Sequence, residues 1–170
     1  MPINYSKESK KYKPKKFLTL LVGEAPPPNG RDFFYIPKAM NNNRMIKGYR
    51  SLPATIFFHY FKQIPSTVDE YKKLLDKLKK KGIFLIDIVD KPTQIRNNAK
   101  GLAKVKREIK KLRSKMKLKK IIIGDEKIIF LLARTNYSDD IGELFPISKK
   151  YRWIDFRLRR CDCHERRNRN

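Results

Sequence analysis

The stretch "LTLLVGEAPPPNGRDFFY", Leu18–Tyr35, joins an apolar run to a proline-rich loop and then to three consecutive aromatic residues. The apolar run, 17–22, has the pattern of a strand that is buried on both faces. The prolines at 26–28 cannot continue that strand, and they stiffen the segment that follows it. Because Glu24 stands at the tip of the strand, ahead of a stiff loop that carries aromatic rings, the stretch indicates a pocket rather than a simple turn.

Composition points to a polyanionic partner. The chain has 170 residues, a net charge of +25 and an isoelectric point near 10.2, and this length is enough for one domain with a sizeable core. Nucleic acid is the first candidate, because each Lys or Arg placed on a phosphate releases counterions; an anionic membrane surface is the second. No run is long and apolar enough to span a bilayer, and no signal-peptide pattern is seen.

The two cysteines, Cys161 and Cys163, are too close in sequence for an ordinary structural disulfide. We therefore expect an intracellular protein, in the cytoplasm or nucleoid. The chain divides into a basic N-terminal arm at 1–16, one domain at 17–160 and a basic tail at 161–170. The arm carries six Lys against one Glu, and we expect it to be mobile or to form a helix only on contact.

Apolar periodicity and capping residues predict alternating strands and helices. The predicted strands are 17–22, 83–89, 119–123 and 144–147. The predicted helices are 52–61, a segment capped by Ser66 or Thr67 and ended by Gly82, 101–117, 126–135 and 151–160. This order favours an α/β fold with a parallel sheet covered on both faces. Ligands of such sheets bind beyond the carboxyl ends of the strands, which directs attention to 23–35, 87–91, 124–125 and 145–152.

Four segments, in this order, resemble motifs of the uracil-DNA glycosylase superfamily, in its branches with a Gly-Glu-Ala-Pro signature. The segments are "LLVGEAPPP" at 20–28, "GIFLIDIVDKP" at 82–92, "KKIIIGD" at 119–125 and "LFPISKKYRW" at 144–153. The resemblance implies a three-layer α/β/α sandwich around a parallel sheet of about four strands. It also implies hydrolysis of the bond between a damaged base and deoxyribose, with the base flipped out of the stack.

The resemblance assigns roles to individual residues. Glu24 and Asp87 become the candidate catalytic residues, with Glu24 stabilising an oxocarbenium-like sugar and positioning water. The candidate stacking and pocket residues are Gly23, Ala25, Pro26, Phe34, Tyr35 and Phe145, with Phe33 as a further stacking ring. Asp87 stands where the family has a base-reading Asn, and an ionised Asp offers acceptors only. Phe145 stands where the family has its last His.

The family's iron–sulfur branches use four cysteines, whereas this sequence has two, and we expect no cofactor. Between Asn98 and Lys120 there are eleven Lys or Arg and one acid, Glu108, so a helix here repels itself unless phosphates neutralise it. The candidate nucleic-acid-binding residues are Lys104, Arg107, Lys111, Lys149, Lys150 and Arg152. We expect a monomer that binds DNA, single- or double-stranded, with RNA as an alternative partner and no membrane attachment.

Each of these residues also has a structural interpretation. Glu24 can cap the following turn, and Asp87 can cap a helix or pair with a lysine. At least one ring of the aromatic triplet 33–35 is expected in the core. The "CDCH" motif at 161–164 fits no common zinc pattern, so a solvated tail is favoured over a metal site. His59 lies on an apolar stretch and is interpreted as structural. A non-catalytic nucleic-acid-binding module on the same fold therefore stays open beside the enzyme.

Overall fold

Four parallel strands form one open sheet with the order β2-β1-β3-β4. The computed structural model describes residues 3–27, 32–40, 51–93, 99–133, 137–152 and 156. The strands are β1 (Thr19–Gly23), β2 (Ile83–Asp87), β3 (Ile128–Leu132) and β4 (Lys149–Arg152). The described α-helices are α1 (Tyr5–Lys11), α2 (Leu52–Phe61), α3 (Val68–Lys80), α4 (Ala99–Ile109), α5 (Leu112–Leu118) and α6 (Ser138–Leu144). The predicted α/β sandwich with about four parallel strands is confirmed.

Burial on both faces explains why the sequences of the central strands are continuously apolar. Leu20, Leu21 and Val22 of β1 are fully buried, and all five residues of β3 are buried as well. A strand that is covered on both faces has to be apolar along its whole length, which is the pattern of both segments. The register pairs Gly23 with Asp87, so the carboxyl ends of β1 and β2 lie level with each other.

The helix α3 forms where its capping residues predict it. The Thr67 side chain accepts a hydrogen bond from the backbone N–H of Glu70, and the Glu70 carboxylate accepts one from the backbone of Thr67. The chain then turns at Gly82, whose φ of +68° and close approach to the Lys16 carbonyl exclude a side chain. The Gly82 carbonyl accepts from the N–H of Leu18, which places β1 beside β2.

The third strand is β3, and the sequence-based prediction of a strand at 119–123 is wrong. In that segment Ile121 is buried, whereas Ile122 is 88% exposed. The segment predicted to be a helix, 126–135, contains β3 instead. Its five consecutive apolar residues can all be buried by a central strand, whereas a helix would turn part of them to solvent.

The last part of the domain is also shifted from its predicted elements. The segment 144–147, predicted as a strand, comprises the end of α6 and a turn in which Ser148 donates from its backbone and its hydroxyl to the Phe145 carbonyl. The fourth strand follows at 149–152, so Tyr151 and Arg152 lie in a strand and not in the predicted helix 151–160. An edge strand with one neighbour tolerates exposed Lys150 and Arg152, and such charges discourage edge-to-edge pairing.

One further prediction is corrected in detail. The predicted helix at 101–117 is two helices, α4 and α5, which meet at 110–111. The N-terminal arm contains α1, which Asn4 caps by accepting from the N–H of Lys7. The arm contacts the domain through the rings of Tyr5 and Tyr12, and the Lys11 carbonyl accepts from Lys79 Nζ at 2.8 Å. The C-terminal tail at 161–170 lies outside the described residues.

Candidate functional site

Two carboxylates lie at the carboxyl edge of neighbouring strands. Glu24 follows β1 directly, and Asp87 is the last residue of β2. Beyond the strands the two main chains stay side by side, because the N–H of Ile88 donates to the Gly23 carbonyl and the N–H of Val89 to the Glu24 carbonyl, both at 2.9 Å. The parallel register therefore puts the two acids that the sequence singled out at the same edge of the sheet, with Asp87 in the wall of a cavity that Glu24 does not line.

Glu24 lies where the strand order reverses. Its Oε1 accepts from the backbone N–H of Ala133 at 2.9 Å and from the hydroxyl of Tyr137. Ala133 follows β3, on the opposite side of β1 from β2, so the Glu24 carboxylate bridges the ends of β1 and β3. The crevice at such a reversal is the usual ligand site of an open parallel sheet. Two donors from other segments fix the orientation of this carboxylate.

Asp87 has an acidity suited to proton exchange near neutral pH. Burial raises the pKa of Asp87 from 3.8 to about 7; Lys115 and Lys119 act in the opposite direction, and the charges of Asp90 and Glu24 add smaller upward effects. The carboxyl group packs on the α-carbon of Gly23, where an added Cβ would lie 2.7 Å from Asp87 Oδ1. Glycine at position 23 is therefore a requirement of this packing.

The pKa of the nearby Asp90 is shifted in the opposite direction from that of Asp87. Burial alone would raise its pKa, but hydrogen bonds from Lys119 and Lys115 hold the pKa of Asp90 below its ordinary value. Its two oxygens lie 3.0 Å from the Nζ atoms of these lysines. Lys115 also donates to the main-chain carbonyls of Asp87 and Ile88. One lysine pair thus neutralises Asp90 while Asp87 keeps its proton to higher pH.

A cavity of about 550 Å³ lies along the outer edge of β2, beside Asp87. Its volume falls in the range of small-ligand sites. Pro26, Phe33 and Tyr35 form one wall, and Asp87 stands at one end among the residues of β2. The remaining wall is contributed by α1 and by the end of α5, including the cationic side chains Lys10, Lys13, Lys119 and Lys120.

The three consecutive aromatic residues separate into two roles. Phe33 and Tyr35 line the cavity, whereas Phe34 packs against Phe57 in the core. The Tyr35 hydroxyl accepts from the N–H of Leu85 at 2.7 Å and donates to the Leu85 carbonyl at 2.9 Å. It therefore completes the hydrogen bonding of the edge strand β2, and its burial raises the pKa of Tyr35 well above its ordinary value.

The helix α1 covers these rings. Tyr5 meets Phe33 edge to face with ring centres 4.8 Å apart, and Tyr12 stacks on Tyr35 at 6.0 Å. Phe33 and Tyr35 are consequently buried. A nucleobase can stack on either ring only after a tyrosine of the N-terminal segment has moved. Apart from the two tyrosines in the basic arm, no local sequence pattern predicts this cover.

The remaining predicted pocket residues also divide between the cavity wall and the core. Pro26 lines the cavity and its carbonyl accepts from the N–H of Thr93, while Ala25 is half-buried against the core. Phe145 is fully buried: its ring lies 5.4 Å from that of Phe130, and the Arg113 guanidinium lies 4.2 Å above it. Phe145 does not line the cavity, and its contacts are those of a core residue.

The predicted nucleic-acid-binding cations are not gathered around the cavity. Lys104 donates to the Thr93 hydroxyl at 3.0 Å. Arg107 and Lys111 are exposed and lie 3.6 and 3.3 Å from Glu108. Lys149, Lys150 and Arg152 belong to the edge strand β4, at the opposite side of the sheet from β2. The cavity is instead bordered by lysines of α1 and of the α5 terminus, which the sequence analysis did not single out.

His59 is structural, as expected, since it is buried, its Nδ1 lies 2.8 Å from the Phe156 carbonyl and its ring stacks on that of Phe156. Within the described ranges, no three His, Cys, Asp or Glu side chains are grouped as a metal site needs. The "CDCH" motif lies outside those ranges.

Comparisons with known proteins leave the family open. No protein-family model matches the chain, and no curated protein and no solved structure matches it significantly. A search of the described helices for one that is long and apolar enough to traverse a bilayer finds none. Function therefore has to be inferred from the residues at the carboxyl edge of the sheet.

Proposed function

We propose that this protein binds DNA and hydrolyses the N-glycosidic bond of a deaminated or mismatched base that has left the helix stack. The observation that carries the proposal is the level pairing of β1 and β2, which puts Glu24 and Asp87 at the same carboxyl edge of the sheet. Asp87 lines the aromatic and lysine-bordered cavity, whereas Glu24 is not among its lining residues and lies toward β3. The first two motifs of the resemblance supply these acids. The third and fourth motifs do not coincide with their predicted strands and lend no support.

Asp87 is proposed to recognise the base. The resemblance puts an amide at this position, which both donates and accepts hydrogen bonds. A carboxyl group with a pKa of about 7 is partly protonated at neutral pH, and the protonated form also offers one donor and one acceptor. The raised pKa of Asp87 thus supports the same kind of base contact that the amide would make.

Glu24 is proposed to assist the bond cleavage. The bond between the sugar C1′ and the base nitrogen breaks with its electron pair going to the base, and a water oxygen then bonds to C1′ and gives its proton to the Glu24 carboxylate. The negative charge of Glu24 also stabilises the cationic sugar. The two donors on its Oε1 hold the carboxylate in one orientation, which favours such a role.

The test is base release from oligonucleotides. Single-stranded and duplex DNA with one uracil, hypoxanthine, xanthine or T·G mismatch is incubated with the protein, and abasic sites are revealed by alkaline cleavage. We expect product with at least one substrate, and a loss of about a hundredfold or more in rate for Glu24→Gln. Glu143→Gln, the same substitution at an exposed position of α6, is the matched control and should retain the rate.

No product from any substrate would refute the enzymatic proposal. Equal rates for Glu24→Gln and Glu143→Gln would refute the role of Glu24 alone. Thermal unfolding of both variants separates a catalytic loss from a folding defect.

A second candidate function is nucleic-acid binding without chemistry. It is favoured by Phe145, which stands where the family has a polar residue and is buried in the core. This candidate requires binding that weakens by orders of magnitude between low and moderate salt, with no base release. Binding that is insensitive to salt would exclude it, and competition between structured RNA and DNA would distinguish the two polyanions.

A further inference from the structure

The turn that follows α5 carries the two most exposed large apolar side chains in the described part of the chain. Leu118 is 84% exposed and Ile122 is 88% exposed, and the next such residue, Ile147, is 63% exposed. We call the segment 117–123 the basic turn. Two aliphatic side chains so close together in the chain and so open to solvent suggest a contact surface.

The basic turn is rigidly supported. Lys120 adopts a left-handed conformation with φ of 53°, and its N–H donates to the Lys117 carbonyl at 2.9 Å. The N–H of Ile121 donates to the Met116 carbonyl, also at 2.9 Å, and the side chains of Ile121 and Met116 are buried. This is the Schellman arrangement of a helix end, in which buried neighbours hold the exposed side chains outward.

The basic turn also presents cations that no ion pair with a described residue neutralises. Lys117 and Lys120 are exposed, and neither makes an ion pair within the ranges that the structure describes. Lys115 and Lys119, in contrast, share Asp90. With a net charge of +25, the chain has too few acids to neutralise its own lysines. The complementary charge for this turn has to come from an anionic partner.

Two hollows flank the basic turn. The cavity beside Asp87 is bordered by Leu118, Lys119 and Lys120. A second hollow of about 470 Å³ lies between Arg113 and 121–123. Lys120 borders both. A ligand that crosses the turn therefore meets apolar side chains, lysines and a concave surface on either side.

We infer that the basic turn is the surface on which an unpaired nucleic-acid strand lies, with Leu118 and Ile122 packed on the faces of bases and Lys117 and Lys120 on the flanking phosphates. Exposed aliphatic side chains with lysines between them match a strand whose base faces and phosphates are both accessible. A fully paired duplex offers the phosphates alone. This inference rests on the nucleic-acid binding in the proposed function and does not depend on base excision.

The test compares the affinity of the full chain for a labelled single-stranded oligonucleotide and for the matching duplex, by fluorescence anisotropy at several salt concentrations. The variant Leu118→Ser/Ile122→Ser should bind the single strand about tenfold more weakly, with the same salt dependence and the same affinity for the duplex. Lys117→Gln/Lys120→Gln should reduce the slope of log affinity against log salt by about 1.4 on the single strand.

Val68→Ser, a substitution of an exposed aliphatic residue on α3, is the control and should bind both forms as the parent does. All substituted positions are exposed, and thermal unfolding verifies their folding. An unchanged single-strand affinity in the Leu118→Ser/Ile122→Ser variant would overturn the inference, as would equal weakening on the duplex. A parent chain that binds neither form would overturn the nucleic-acid binding itself, whereas binding without base release would leave this inference intact.

Discussion

At the scale of single residues, the position of an acid was predictable but its surroundings were not. Asp87 lies near the end of the strand predicted at 83–89, and β2 ends at Asp87, two residues earlier than predicted. Its packing on Gly23 and its contacts with Lys115 and Lys119 depend on segments distant in sequence. The sequence could not predict these contacts, because helix α5 and strand β2 meet only in the folded chain.

The raised pKa of Asp87 predicts a specific dependence of stability on pH. The folded protein holds this proton more tightly than the unfolded chain, so the free energy of unfolding should fall as the pH rises from about 4 to about 7. Asp87→Asn should remove this fall and make the protein more stable at pH 8 by roughly 3 kcal/mol, with little change at pH 4.

Urea unfolding of both proteins at several pH values measures the difference. Asp69→Asn, at an exposed position in the first turn of α3, should follow the parent curve. If the free energies of unfolding of the parent and of Asp87→Asn changed with pH in parallel, the raised pKa of Asp87 would be contradicted.

At the scale of secondary-structure elements, local signals were sufficient for the helices α2 and α3 and insufficient for the strands β3 and β4. The capping box of Thr67 and Glu70 fixes the start of α3. The apolar run of β3 has no local feature that separates a strand from a buried helix, and its pairing with β1 and β4 decides the matter. Register with neighbouring strands, rather than propensity, determines both β3 and β4.

The edge of β2 offers a prediction at this scale. Tyr35→Phe removes the hydroxyl that bonds both the N–H and the carbonyl of Leu85, leaving two buried main-chain groups without that partner. The free energy of unfolding should fall by about 2–4 kcal/mol. Chemical denaturation is the measurement.

The matched control is Tyr12→Phe, because Tyr12 stacks on Tyr35 but its hydroxyl makes no hydrogen bond within the described residues. This variant should be nearly as stable as the parent. Equal stability of the two variants would show that the Tyr35 hydroxyl does not support the strand edge.

At the scale of the whole molecule, charge and topology act together. The alternation of strands and helices predicted a parallel sheet, and its order of β2-β1-β3-β4 places Glu24 at the reversal between β1 and β3. The large net charge predicted a polyanionic partner but not the surface that meets it. The surface proposed to bind nucleic acid depends on how α1 and α5 pack around the cavity, which composition does not encode.

The pH dependence of base release tests the central claim most directly. If protonated Asp87 contacts the base while Glu24 assists cleavage, release by the parent protein should decline as the pH rises above about 7, and release by Asp87→Asn should lack this decline. Identical pH profiles for the two proteins, or the absence of base release at every pH, would contradict the account.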